Sequence, residues 1–177
     1  KSNSELLARV LKDNKAQASV ERITRAALNM QQMTETLLWL SRDEEQSLEK
    51  TEVNLSTLLH SLVNENEYLL QEKSVSVQLN VPEHILFIAQ TPCRIALSNL
   101  IRNAFQYTLQ GKVEISLYHY RVIIKNTNDN PLDSVTASED YGYGLGLNLV
   151  EKIVGKLSWQ YENVEFDGGR NVTIEFK

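Results

Sequence analysis

The sequence predicts an α+β fold: a two-layer α/β sandwich with helices on one face of a mixed sheet, preceded by an antiparallel helical hairpin. Three observations predict it. Apolar residues recur every three or four positions through the first 40 residues, which is the period of amphipathic helices. Residues 75–81 alternate strictly between apolar and polar, as a half-buried strand does. Residues 95–108 then return to the helical period between further strand-like segments, a mixture typical of helices packed on a sheet.

The first 48 residues are predicted to form a dimerisation hairpin. Leu6, Leu7, Val10 and Leu11 share one face of a first helix, and a longer helix begins near Ser19. Its apolar seam consists of Val20, Ile23, Ala27, Met30, Met33, Leu37 and Leu40. Such a hairpin cannot bury its seam alone, so we expect a homodimer that forms a four-helix bundle. The chain opens in the middle of a helical pattern, which indicates a hairpin truncated at its start.

Residues 49–177 are predicted to form the second domain. The charged segment from Asp43 to Glu52 is interpreted as a linker or a frayed helix end. A helix begins at Asn54-Leu55, where asparagine is a favoured N-cap. The remaining predicted elements are strands at 75–81 and 85–89, a helix at 95–108, a hairpin of 112–118 with 121–125, a helix after residue 147, and strands near 158–161 and 172–176.

The composition is that of an ordinary globular chain. Its 177 residues are 42% hydrophobic and 23% charged, which is enough to form a core. The net charge of −5 argues against general nucleic-acid binding, which needs cations to neutralise phosphates. Cys93 is the single cysteine, so we interpret it as a packing residue in a reducing compartment. No run approaches the ~20 apolar residues of a membrane span, so no membrane contact by this segment is predicted.

Two asparagines in the 95–108 helix are the first candidates for a functional site. Asn99 and Asn103 are four residues apart, so their amides emerge on one helix face. A neutral amide oxygen is a hard ligand suited to Mg²⁺, which usually also binds nucleotide phosphates. The alternative, that the pair caps neighbouring loops through hydrogen bonds, stays open from this helix alone.

A glycine-rich stretch is the second candidate. Gly142, Gly144, Leu145, Gly146 and Leu147 stand at the entrance of the next apolar helical pattern. Glycines at a helix entrance let backbone N–H groups approach an anion closely, and the helix dipole favours negative charge there. A loop that simply turns into a helix would also explain the glycines.

Together these motifs resemble a known family. Asn99-Leu-Ile-Arg-Asn103-Ala is similar to the N box of the sensor histidine kinases of two-component systems, and Gly142 to Leu147 resembles their glycine-rich box. The resemblance covers most of the chain and implies the Bergerat-type (GHKL) ATP-binding fold, with ATP and Mg²⁺ as ligands. It implies that Asn103 coordinates Mg²⁺ and that Asn99 and the glycine-rich residues Gly142, Gly144, Leu145, Gly146 and Leu147 bind the nucleotide.

Three features depart from the family pattern at the nucleotide site. The family's adenine-reading aspartate is matched by Asn126, while Asn128 and Asn130 replace two glycines. An amide can still pair with adenine, although without charge assistance, and Asp129 is an alternative reader. Tyr107 matches a position that packs along the nucleotide, but its neighbour Gln106 replaces a commonly basic residue. The segment 131–141 is short for the family's lid and lacks its paired phenylalanines.

The phospho-acceptor is the largest departure. The family's acceptor histidine lies near the start of the first hairpin helix, and His60, His84 and His119 all lack that context. We therefore identify no catalytic residue in this chain and expect the acceptor just upstream of Lys1. The resemblance implies a cytoplasmic kinase fragment, part of an inner-membrane sensor, that transfers the γ-phosphoryl of Mg-ATP to a histidine and then to an aspartate of a response-regulator receiver domain. The alternatives are a degenerate module that signals through protein contacts without turnover, and another ATPase of the same fold.

Overall fold

The computed structural model describes residues 49–130 and 145–176, together with Ile23, Ala27, Met30 and Thr34. The chain divides into two compact units, Lys1–Asp43 and Glu44–Lys177. The four isolated residues are helical, and Ile23 and Met30 are 64% and 68% exposed in the single chain. The rest of the predicted hairpin lies outside the described residues, so its pairing and the boundary at residue 48 stay predictions.

The described part of the second unit contains three α-helices and seven strands. In chain order they are β1 (Lys50–Asn54), α1 (Leu55–Asn66), a short 3₁₀ helix (Glu67–Leu70), β2 (Ser74–Asn80), β3 (Ile85–Ala89), α2 (Gln90–Tyr107), β4 (Gln110–Tyr118), β5 (Arg121–Asn128), α3 (Leu145–Lys156), β6 (Gln160–Phe166) and β7 (Gly169–Glu175). No helix among these residues is long and apolar enough to cross a membrane.

Five strands form one mixed sheet in the order β2-β4-β5-β7-β6. β2 is parallel to β4, and every other neighbouring pair is antiparallel. The predicted hairpin of β4 and β5 is confirmed, with His119 and Tyr120 at its tip. The strand predicted near 158–161 is displaced, since β6 begins at Gln160 and continues to Phe166, and β7 begins at Gly169, before the predicted 172. Most residues of β6 are exposed and show no apolar alternation, so the sequence pattern did not mark where this strand ends.

One face of this sheet carries the core. Along β5 buried and less buried residues alternate, and the buried ones are Val122, Ile124, Asn126 and Asn128. α2 packs on β5 as well as against α1 and α3. Its buried apolar side chains are those of Pro92, Cys93, Ala96, Leu97, Leu100, Ile101, Ala104 and Phe105, and the burial of Cys93 agrees with its interpretation as a packing residue. The predicted sandwich of helices on one face of a mixed sheet is therefore confirmed.

The interpretation of residues 43–52 as a linker or frayed helix is wrong for the last three residues of the segment. Lys50 to Glu52 belong to β1, which pairs antiparallel with β3 in a separate two-stranded sheet. These three side chains are exposed and only Val53 is buried. The segment therefore lacks the apolar alternation that identifies a strand, and its pairing with β3 decides its conformation.

Side chains bind the free backbone groups at one end of α1 and at one end of α2. Asn54 caps α1, its Oδ1 accepting from the Thr57 backbone N–H at 3.1 Å, as predicted. At the other end of the domain, Lys73 Nζ donates to the carbonyl oxygens of Phe105 and Gln106 at 2.8 and 2.9 Å. A cation on the last carbonyls of a helix satisfies orphan acceptors and complements the helix dipole. Lys73 thus holds the end of α2.

Candidate nucleotide-binding site

The two predicted motifs meet where α2 packs against α3. A Cβ atom built on Gly146 would lie 3.1 Å from Asn99 Oδ1 and 3.4 Å from Asn103 Nδ2. Carbon atoms seldom approach side-chain atoms so closely in a relaxed packing arrangement. Because Gly146 has no side chain, the first turn of α3 can lie directly against both amides. Leu147 follows on α3 and is half-buried, whereas Gly142, Gly144 and the side chain of Leu145 lie outside the described residues.

The two asparagines of α2 differ in their surroundings. Asn99 is 3% exposed, and its Nδ2 donates to the carbonyl oxygen of Ile95 at 2.8 Å, one turn earlier in the helix. Asn103 is half-buried, and no hydrogen bond joins its amide to another described residue. A polar group in such a place needs a partner, since leaving it unpaired costs free energy. The Asn99 amide is therefore buried and bonded within α2, and Asn103 is the amide available to a ligand.

The segment that matches the family's adenine reader lies at the end of β5. Asn126 and Asn128 both face the helices, as strand alternation predicted for Asn126. Asn126 is 7% exposed, and its amide makes no hydrogen bond to another described residue. Neither Asn128 nor Asn130 has the positive φ that would replace a glycine conformation. Asp129 uses its backbone N–H to bind the Gln110 carbonyl oxygen at 2.9 Å.

Asn128 uses its amide to connect three backbone segments. Its Oδ1 accepts from the Leu109 N–H at 2.8 Å, and its Nδ2 donates to the Tyr107 carbonyl oxygen at 2.9 Å. The Asn128 backbone N–H also donates to the Gly168 carbonyl oxygen at 2.7 Å. Asn128 is buried, so these bonds are shielded from water. They place Tyr107, at the end of α2, beside the end of β5.

Arg170 is a site residue that the sequence reasoning missed. It pairs with Asn126 across β5 and β7, so the two side chains emerge on the same face of the sheet. Burial raises the pKa of the Tyr107 phenol, and the nearby Arg170 guanidinium partly offsets that rise. The sequence shows only an arginine after Gly168-Gly169. Its position beside Asn126 depends on the register of two strands more than 40 residues apart in the chain.

The donor set suits a nucleotide phosphate and a hard cation. Among the described residues no group of three or more His, Cys, Asp or Glu side chains could hold a metal ion. The candidate metal ligand that the family resemblance implies is the Asn103 amide oxygen, a type of ligand that Mg²⁺ accepts together with phosphate oxygens and waters. The space that a Cβ on Gly146 would fill lies next to that amide. The residues present thus fit Mg²⁺ bound through a nucleotide.

Comparison with known proteins places this geometry in a structural class. No protein-family model and no curated protein matches the chain, so the similarity is one of fold. The cytoplasmic segment of the histidine kinase QseC is 21% identical, with a TM-score of 0.60 over 84% of this chain and 93% of its own. The Acinetobacter baumannii histidine kinase AdeS is 16% identical, with a TM-score of 0.62 over 99% and 95% of the two chains.

A third solved structure contains a nucleotide analogue. Full-length ShkA in complex with AMPPNP is 18% identical and has a TM-score of 0.66. This chain is covered over 98% of its length but spans only 41% of the ShkA chain. Catalytic domains of the histidine kinase ThkA also match, at 20% identity, a TM-score of 0.55 and 72% of this chain. The chain therefore has the fold of the catalytic domain of sensor histidine kinases.

Proposed function

We propose that this chain is a catalytic core fragment of a sensor histidine kinase, which binds Mg-ATP and transfers its γ-phosphoryl group to a histidine and then to an aspartate of a response regulator. The observation that carries the proposal is the contact of Gly146 with the amides of Asn99 and Asn103. It brings a glycine at a helix N-terminus, where anions bind, next to an amide available to a cation. The fold shared with histidine kinases, one of them solved with AMPPNP, supports the same reading.

Asn103 and Gly146 would act at the phosphates. Asn103 would supply an amide oxygen to the metal, while Asn99, bonded to Ile95 within α2, would line the space next to Gly146. Gly146 leaves the backbone of α3 open to phosphate oxygens. When bound, Mg²⁺ neutralises phosphate charge and holds the nucleotide for in-line transfer. The predicted roles of Gly142, Gly144, Leu145 and Leu147 at the same helix entrance are part of this proposal.

Asn126 and Tyr107 would act at the base. The Asn126 amide faces the helices at the end of β5 and can both accept and donate a hydrogen bond. Tyr107 offers an aromatic ring against which a base can pack. Asn128 would contribute by positioning, since its hydrogen bonds hold the Tyr107 carbonyl and the Leu109 N–H.

The acceptor histidine would be another than His60, His84 and His119. His60 is exposed on α1, while His84 precedes β3 and lies against His119 of the β4–β5 turn, with ring centroids 6.3 Å apart. Transfer requires a nucleophile in line with the γ-phosphate, and these three positions do not belong to the helical segment that the family presents. The proposal includes a cytoplasmic location, a homodimer through the hairpin and a receiver-domain partner.

A second candidate is a kinase-like binding module without turnover. The observation that favours it is the amide of Asn126 where the family has a carboxylate. A neutral acceptor binds the adenine amino group more weakly than a charged one, and weak nucleotide affinity would limit turnover. Both candidates predict Mg-dependent nucleotide binding, but only the kinase predicts phosphotransfer to a histidine.

Calorimetric titration with ATP in the presence and absence of Mg²⁺ tests the nucleotide site. We expect Asn103→Ala to abolish Mg-dependent binding while thermal unfolding stays close to that of the parent, because the half-buried amide contributes little to the core. Asn64→Ala is the control, since Asn64 is an exposed asparagine within the helix α1, outside the site. Asn103→Ala binding Mg-ATP as tightly as the parent would exclude this metal ligand.

Labelling with γ-phosphate then tests the assignment of the acceptor histidine. The kinase proposal predicts that His60, His84 and His119 carry no acid-labile phosphate after incubation with Mg-ATP. Label on any of these three histidines would contradict the assignment of the acceptor.

A further inference from the structure

A row of paired residues crosses the sheet next to Asn126, at the part of the candidate site where the proposed function places the base. This part is called the base end. Val113, Asn126, Arg170 and Glu165 occupy equivalent positions on β4, β5, β7 and β6. Directly opposite residues of an antiparallel pair have Cβ atoms about 4.5–5.5 Å apart and share a face. The neighbouring pair on that face is Ile124 with Val172, and both are buried in the core. Arg170 therefore continues the helix-facing side of the sheet, next to Asn126.

The Arg170 guanidinium is held in place without using all of its donors. Its Nη2 lies 3.2 Å from Glu165 Oε1, and its Nη1 donates to Asn163 Oδ1 at 3.2 Å. A guanidinium has five N–H donors in a rigid planar fork and no acceptor. The side chain is 29% exposed, whereas its partner Glu165 is 77% exposed. Arg170 is thus a fixed donor group that still has N–H groups to offer.

These groups give the base end of the site an excess of donors. The Asn126 amide can donate or accept, but Arg170 can only donate. Adenine presents an amino donor beside N7, whereas guanine presents two acceptors, O6 and N7, which a guanidinium binds bidentately. With adenine, N7 can accept from one N–H of Arg170, but the amino group leaves the second N–H without an acceptor, an arrangement that costs affinity. The chemistry of this row therefore complements guanine at least as well as adenine.

We propose that Arg170 is a base-specificity residue and that it makes this site accept guanine nucleotides alongside ATP. The inference rests on the proposed function, since it assigns a base preference to the same nucleotide site. The phosphates would be held as described for Mg-ATP, by Asn103 and the start of α3. Asn126 would read either purine by rotating its amide, and Arg170 would add the contact that only guanine satisfies.

Calorimetry with Mg-GTP and Mg-ATP tests the inference through the ratio of the two dissociation constants. We expect the parent to bind GTP at least as tightly as ATP. Arg170→Thr should shift the ratio about tenfold toward ATP, the order of one lost bidentate base contact. Arg170→Lys keeps the charge but loses the planar fork, so it should shift the ratio in the same direction.

Two further variants separate recognition from structural support. Arg94→Thr is the control, because Arg94 is also paired with a carboxylate, Glu65 at 2.6 Å, but lies near the start of α2. It should leave the ratio unchanged. Glu165→Gln removes the ion pair of Arg170 while keeping the guanidinium, and it should preserve or increase GTP binding even if Arg170→Thr fails to fold.

The outcomes distinguish this inference from the proposed function. A parent that binds ATP ten times more tightly than GTP, or a ratio that Arg170→Thr does not change, would overturn the base-specificity role while leaving the ATP site intact. A parent that binds neither nucleotide with Mg²⁺ would overturn the proposed function and this inference with it.

Discussion

Replacing Gly146 by alanine tests the contact between the two predicted motifs with the smallest possible change. The added methyl carbon would stand 3.1 Å from Asn99 Oδ1 and 3.4 Å from Asn103 Nδ2, so one or both amides must move by a few tenths of an ångström. Gly155 of the same helix is the matched control, because a Cβ atom there meets nothing within 4 Å. Both changes replace glycine by alanine in α3, so the difference between them reports the local contact.

The expected change in the free energy of unfolding is the sum of two opposing effects. Alanine is favoured over glycine within a helix by about 0.5–1 kcal/mol. Gly155→Ala should therefore raise the free energy of unfolding by up to that amount. Gly146→Ala should gain the same term but lose about 1–3 kcal/mol to overpacking against the two asparagines. We expect the unfolding free energies of the two variants to differ by about 1–3 kcal/mol.

The assay is urea unfolding of the two variants and the parent, followed by titration with Mg-ATP. Because Gly146→Ala forces Asn99 Oδ1 away from the start of α3 and fills the space beside the Asn103 amide, its affinity for Mg-ATP should fall at least about tenfold, which corresponds to 1.4 kcal/mol. Gly155→Ala should bind as the parent does. Equal stability and equal affinity of the two variants would refute the reasoning, because the space at Gly146 would then have no role in packing or in binding.

Two further predictions concern the support of the site and the predicted dimer. Asn128→Ala removes the hydrogen-bond partners of the Leu109 N–H and the Tyr107 carbonyl. Urea titrations should therefore show a free energy of unfolding lower by about 2–3 kcal/mol. A loss below about 0.5 kcal/mol would mean that water replaces the amide. Ile23→Glu with Met30→Glu places two charges on the apolar seam and should convert a dimer into a monomer in sedimentation experiments, because an unpaired charge is disfavoured in an apolar interface. A dimeric double variant would contradict the predicted seam.

Local patterns in the sequence were sufficient to predict the elements that carry the motifs. The three- and four-residue period around Asn99 and Asn103 predicts a helix with both amides on one face, and α2 has that geometry. The alternation of residues 75–81 predicts a strand, and β2 confirms it within one residue at each end. Helical and strand periods arise from backbone geometry, so a single segment reveals them without knowledge of its neighbours.

The contact between Gly146 and the two asparagines was not predicted, since the family resemblance assigned both motifs to nucleotide binding without stating a contact between them. Nothing in the local pattern of either helix indicates that α2 and α3 meet at these residues. The tertiary structure also separates the two amides, with Asn99 bonded to Ile95 and Asn103 half-buried. Sequence spacing could not distinguish them, because residues four apart on a helix face are equivalent until a neighbour packs on one of them.

The pairing of strands determined two features that local sequence patterns did not predict, the strand β1 and the position of Arg170. β1 is polar apart from Val53 and becomes a strand by pairing with β3. Arg170 reaches the base end of the site because its register places it opposite Asn126. A shift of one residue in that pairing would turn Arg170 to the other face of the sheet. The sequence by itself therefore determined which residues form the helices and the central strands and which residues are candidate phosphate ligands. The register between distant strands determined which polar groups surround the proposed base site, because that register depends on the packing of the whole sheet.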